Sequence, residues 1–190
     1  MSRFTWLCSV VLVAVACGCS GSPASSSDDG GEPPDFIGLI GCDGGSQMVS
    51  NACALSIPLS GPLSGTFANF SNCGTSMRSL SWSDLGGSGV GIAITFMGTN
   101  APVDQLGTFP LQSLDITQAT AGGTLRWSAP PAACTVTIQG SICSPSGAFT
   151  NRRVIDGTGT CSEPAAPQFG NNEGPILIDD FKFVGFINPM

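Results

Sequence analysis

The chain has no histidine and no tyrosine, and only six of its 190 residues are basic: Arg3, Arg78, Arg126, Arg152, Arg153 and Lys182. Without histidine nothing offers a near-neutral base to take a nucleophile's proton, so Ser-His-Asp and Cys-His constellations cannot be built. The missing tyrosine removes a further acid or nucleophile. So few cations cannot track a phosphate backbone, which excludes nucleic acid as a partner. Arg152 and Arg153 make no exception, because neighbouring residues of a strand point to opposite faces. The nucleophile-elbow and phosphate-loop motifs are also missing, and the glycine run Gly86-Gly87-Ser88-Gly89-Val90-Gly91 leads into a strand pattern where a dinucleotide fold needs a helix. No cofactor is implied. The one enzyme class this composition permits is a carboxylate-pair glycosidase drawing on Asp84, Asp104, Asp115, Asp156, Glu163, Glu173, Asp179 and Asp180, and no spacing among these selects a pair. A non-enzymatic domain is the expectation.

Long helical repeats are missing too: beyond the N-terminal segment, no stretch sustains apolar residues at helical spacing. What the chain has instead is 26 glycines, 14 prolines and alternating apolar residues, with 42% hydrophobic and 10% charged residues. That much apolar surface opposes disorder. In Gly89 to Phe96, Val90, Ile92, Ile94 and Phe96 share one face, as in a strand buried on one side. Leu55, Ile57 and Leu59 alternate similarly, with Pro58 placing that segment at an edge or beside a bulge. Leu125 with Trp127, and Cys134 with Val136 and Ile138, give two more strands. Leu63 to Phe70, Thr108 to Ile116, Phe149 to Thr160 and Ile176 to Ile187 complete an all-β set. The spacing predicts an antiparallel β-sandwich or barrel of about eight or nine strands. Phase changes near Gln112 or Ser113, and at Asp179-Asp180, predict bulges, because one extra residue flips the buried face.

The N-terminus carries a different signal. Arg3 is followed by an apolar segment, Phe4 to Ala16, that is too short to span a bilayer, and then by small residues. Val13-Ala14-Val15-Ala16-Cys17-Gly18-Cys19-Ser20 resembles the lipobox of bacterial lipoproteins, and both Cys17 and Cys19 fit it. The resemblance implies export, acylation of that cysteine and anchorage to the cell envelope. With Ser20 and no Asp after the acylated cysteine, it also implies sorting to an outer membrane where the cell has one. The expected organisation is a signal peptide over 1–18, an acylated cysteine and flexible linker over 19–34, and a single β-domain over 35–190. The linker, SGSPASSSDDGGEPP, has no large apolar residue and reaches roughly 20 Å as a flexible coil.

The nine cysteines are Cys8, Cys17, Cys19, Cys42, Cys53, Cys73, Cys134, Cys143 and Cys161. Exported proteins pair their thiols. Cleavage before Cys19 leaves one acylated cysteine and an even set of Cys42, Cys53, Cys73, Cys134, Cys143 and Cys161, whereas cleavage before Cys17 leaves an odd thiol. Parity therefore favours Cys19. With no Cys-x-x-Cys spacing among the six and no histidine, disulfides are expected in place of zinc. A hairpin turning near Ser146-Gly147 sets Cys134 opposite Cys161. Two constellations remain as candidate sites. Asp179 and Asp180, at their bulge, are candidate cation ligands against a reading as solvated aspartates. Trp82 and Trp127 are candidate sugar-stacking platforms, against core positions shared with Leu80 and Leu125. The function expected is a structural or protein-binding role for an envelope-anchored lipoprotein, the alternative being a carbohydrate- or small-ligand-binding module. Mass spectrometry of the mature N-terminal peptide should find lipid on Cys19; lipid on Cys17, or an unmodified N-terminus, contradicts this.

Overall fold

The computed structural model describes residues 38–40, 53–68, 70, 72–84, 87–144 and 152–187. The signal peptide, Cys17, Cys19, the linker, Cys42 and the turn at Ser146-Gly147 lie outside the described residues. The strands are β1 (Gly38–Ile40), β2 (Ala54–Ser60), β3 (Gly65–Phe67), β4 (Asn72–Thr75), β5 (Ser79–Ser83), β6 (Val90–Phe96), β7 (Gly107–Thr120), β8 (Gly123–Ala129), β9 (Cys134–Ser144), β10 (Arg152–Cys161), β11 (Ala166–Pro167), β12 (Leu177–Ile178) and β13 (Phe181–Ile187). Nine of them form one path, β12-β2-β13-β10-β9-β7-β6-β5-β4. The expected all-β class is what the structure has, and the sandwich-or-barrel alternative resolves as one antiparallel sheet curled into a half-barrel. β1 adds a short parallel pairing, Leu39 beside Ser141 of β9.

The curl is built at β7. Its first residues, Gly107 to Pro110, pair with β9, and beyond them the strand pairs with β6 on one side and β8 on the other. The handover coincides with the bulge expected near Gln112: Thr95 faces Ser113 and Phe96 faces Leu111, so Gln112 is the extra residue. A bulge adds local bend and twist, which lets one strand serve two differently oriented stretches of sheet. The second expected bulge is present as well. Ile178 pairs with Leu59 and Lys182 with Ser56, so three residues of the later segment oppose two of β2. Pro58 sits opposite this irregularity, where its carbonyl accepts from the Asp179 N–H at 3.2 Å and its own missing N–H costs no ladder bond. Ile176 to Ile187 is therefore two strands, β12 and β13. Leu63 to Phe70 shortens to β3, and β4 and β11 escaped the sequence pattern.

One face of the curled sheet encloses the core. Leu55 and Ile57 of β2, Leu80 and Trp82 of β5, Ile92 and Ile94 of β6, Leu114 and Ile116 of β7, Trp127 of β8, Val136 and Ile138 of β9, and Phe181 and Phe183 of β13 are all buried in a single cluster. Glycine makes two close approaches possible. Gly157 and Gly159 of β10 lie opposite Phe183 and Phe181: the Phe181 ring occupies the space a Cβ at Gly159 would take, and at Gly157 the Thr137 carbonyl takes it, with the Phe183 ring 3.1 Å away. Gly185 of β13 admits the opposite wall, since a Cβ there would lie 2.9 Å from Leu80 and 3.2 Å from Trp82. The Trp82 indole N–H crosses the core to donate to the Val184 carbonyl at 3.2 Å, and its ring meets Phe183 edge-on at 6.0 Å.

Two disulfides staple different distances. Cys134 opposite Cys161 joins neighbouring strands β9 and β10, with Cα atoms 4.0 Å apart, the pairing that the hairpin register gives. Cys53, at the entrance to β2, bonds Cys73 of β4 with Cα atoms 5.7 Å apart. β2 and β4 stand near opposite ends of the sheet path, so this bond closes the curl where no ladder hydrogen bonds do. Cys143 is also disulfide-bonded. Replacing Cys53 and Cys73 together by Ala should lower unfolding stability by about 3 kcal/mol, the loop-entropy estimate for a bridge of this span, measured by urea titration; a loss below about 1 kcal/mol contradicts a closing role.

Candidate functional site

Neither tryptophan presents a face to solvent. Trp82 and Trp127 are each 1% exposed, so the sugar-platform reading is corrected: both indoles belong to the core. Trp127 nevertheless supports a surface feature. Its Nε1–H donates to the Gly174 carbonyl at 2.9 Å and so pins the connection from β11 to β12 from beneath.

That connection is a compact loop whose ends meet. Ala165 and Ile176 exchange backbone hydrogen bonds of 2.8 and 3.0 Å. Inside it, the Gln168 N–H and the Asn171 side-chain amide both donate to the Arg126 carbonyl, at 2.9 and 3.0 Å. The Asn171 N–H donates to the Gln168 carbonyl, and the Asn171 side-chain oxygen accepts from the Glu173 N–H at 3.0 Å. Asn171 is buried, and Gly170 takes a φ of +79° that few other residues adopt. Within this ordered loop Phe169 is 108% exposed. Leaving a Phe side chain in water forgoes about 1.5–3 kcal/mol of burial.

The carboxylates are dispersed. Asp84 accepts from the N–H groups of Gly87 and Ser88 and organises its turn. Asp104 pairs with Arg153 at 2.8 Å, and Asp115 accepts from Ser113 at 2.7 Å. Asp156 is buried on the outer face of β10, while Glu163, Glu173, Asp179 and Asp180 are exposed. Among the described residues no three His, Cys, Asp or Glu side chains gather at metal-binding range, so Asp179 and Asp180 gain no third ligand. Three recesses in the surface contain Asp180, Asp104 and Asp115 respectively, one carboxylate each.

The recess with Asp180, about 410 Å³, is also lined by Thr135, Thr137, Thr158, Thr160, Phe181 and Lys182. It lies on the outer face of β9, β10 and β13. The register aligns Thr108, Thr137, Thr158 and Lys182 in one row across four strands, with Thr135 beside Thr160 in the next. Sequence reasoning did not single out the threonines, although Thr135-x-Thr137 and Thr158-x-Thr160 carry the period-two signal. Phe169 left no trace, since a lone Phe among polar residues reads equally as core. Compared with protein-family models, with characterised proteins and with solved structures, the chain matches none.

Proposed function

We propose that the chain is a lipid-anchored protein of the bacterial cell envelope whose β-domain works by binding another envelope protein, without catalysis. The observation that carries the binding role is the pinned loop displaying Phe169. A side chain wholly in water on a backbone fixed by side-chain and backbone hydrogen bonds is a preorganised contact, and preorganisation lowers the entropy that association costs. The dispersed carboxylates and the missing histidine support a non-catalytic reading, because among the described residues the recesses at Asp180, Asp104 and Asp115 hold one carboxylate each and no nucleophile with a base.

Cysteine chemistry supports the placement. Persistent disulfides belong to oxidising compartments. The bridges Cys53–Cys73 and Cys134–Cys161 use four cysteines, and Cys143 is bonded as well, so its partner comes from Cys8, Cys17, Cys19 and Cys42. Removal of Cys8 and Cys17 with the signal, and acylation of Cys19, leaves Cys42 for that bond.

Photo-crosslinking from position 169 in intact cells should give one discrete protein adduct. Phe169→Ser should weaken co-purification of that protein at least tenfold, consistent with losing about 1.5–3 kcal/mol of apolar burial, and should leave the thermal midpoint unchanged. No adduct, or unaltered co-purification by the variant, sinks the binding role of the loop.

A further inference from the structure

Exposed apolar side chains gather at the end of the sheet away from the Phe169 loop. Among the described residues the exposed large hydrophobics are Phe169 and Leu177, on and beside that loop, and Met77, Met97 and Leu106, which are 40%, 41% and 44% exposed. Met77 lies in the β4–β5 turn, and Met97 and Leu106 bracket the connection from β6 to β7. Backbone hydrogen bonds join these two connections: the Ala101 N–H donates to the Met77 carbonyl at 2.9 Å and the Phe96 N–H to the Arg78 carbonyl at 2.8 Å. The Arg78 guanidinium donates to the Gly98 carbonyl at 3.3 Å across the same junction. By the antiparallel register β4, β6, β9 and β13 run toward this end, while β2 runs away from it to Gly61 and Pro62, which lie against the Phe169 loop at Pro175 and Gly174.

The same end receives the chain from its N-terminal side. β1 runs parallel to β9 alongside Gly140 to Ile142, beyond the point where β7 begins beside Ile138. Ser141, beside Leu39, donates its hydroxyl to the Val103 carbonyl at 2.6 Å and so ties that stretch to the β6–β7 connection. Only residues 35–37 separate β1 from the expected linker. Ser20 to Pro34 spans roughly 20 Å, whereas a folded domain of about 150 residues is about 40 Å across. A leash shorter than the domain keeps its own end beside the bilayer and the Phe169 loop away from it. Charge agrees with that orientation. Asp84, Glu163, Glu173, Asp179 and Asp180 lie toward the far end, and the charged side chains described near Met77 are Arg78 and the paired Asp104 and Arg153. Anionic lipid repels the first set and tolerates the second.

We infer, on the basis of the lipid-anchored reading above, that this end docks on the membrane surface, with Met77, Met97 and Leu106 entering the headgroup boundary and Arg78 meeting lipid phosphates. Apolar area and cationic charge both favour the lipid interface. Docking needs little affinity of its own, because a short tether raises the effective concentration of lipid to the millimolar range. The experiment reconstitutes the acylated full chain in vesicles of phosphatidylethanolamine and phosphatidylglycerol at several protein-to-lipid ratios. Flotation reads anchorage, and hydroxyl-radical footprinting by mass spectrometry reads Met77 and Met97 against Phe169 as the far-end reference. On vesicles the two methionines should label at least about threefold less in the native chain than in Leu106→Asp, which puts a charge into the boundary while both chains float. Leu106 lies exposed in a connection, so the variant keeps the fold, checked by an unchanged unfolding midpoint. Arg78→Glu, also at an exposed position, gives the same comparison where Leu106→Asp fails to fold. Equal labelling in floating native and variant chains overturns the docking alone. Protection that grows with the protein-to-lipid ratio assigns the surface to a second copy and overturns it too. A chain that does not float overturns the anchor reading, and the docking with it.

Discussion

Trp82 and Phe183 lie on strands far apart along the sheet path, yet their rings touch, and the indole N–H of one wall bonds the Val184 carbonyl of the other. A single sheet can bury that much aromatic surface only by turning its apolar face upon itself. Most of the remaining features serve this constraint. Gln112 supplies the bulge that bends β7, Gly185 lets Leu80 and Trp82 approach the opposite wall, and Gly157 and Gly159 leave room for the phenylalanines of β13. A curled sheet that stops short of full hydrogen-bonded closure still has ends, and Cys53–Cys73 ties them covalently.

The exterior follows from the same geometry. Every strand that sends an apolar residue inward sends the next one outward, so the outer face of β9 and β10 becomes rows of threonine once the inner face takes Val136, Ile138 and Ile155. Beyond β11, which pairs with β8, the chain runs through the loop that Trp127 and the Arg126 carbonyl hold in place, with Phe169 at its turn. The Phe169 loop and the threonine rows therefore sit on different parts of the sheet.

Much of the strand pattern was legible in the sequence because it is local. The alternation of Val90, Ile92, Ile94 and Phe96 is the burial pattern of β6, and both phase changes mark real irregularities. The Cys134–Cys161 bond follows from one hairpin register. Non-local relations were not legible. Nothing near Cys53 or Cys73 in the sequence says that their strands end up side by side, and T-x-T repeats become a recess only when the cross-strand register is known. Alternation also cannot tell a buried indole from an exposed one when the opposite wall is unspecified, which is why the tryptophans stood as candidates for a site they do not form.

One curled sheet encloses the main core, clamped near its ends by Cys53–Cys73. Native-state amide hydrogen exchange tests it most directly when the intact protein is compared with the Cys53→Ala, Cys73→Ala variant. The account predicts that amides of β2, β4 and β5 lose protection together in the variant, while those of β9 and β10 keep the slowest exchange. Unchanged protection in β2 and β4, or earliest loss in β9 and β10, would contradict it.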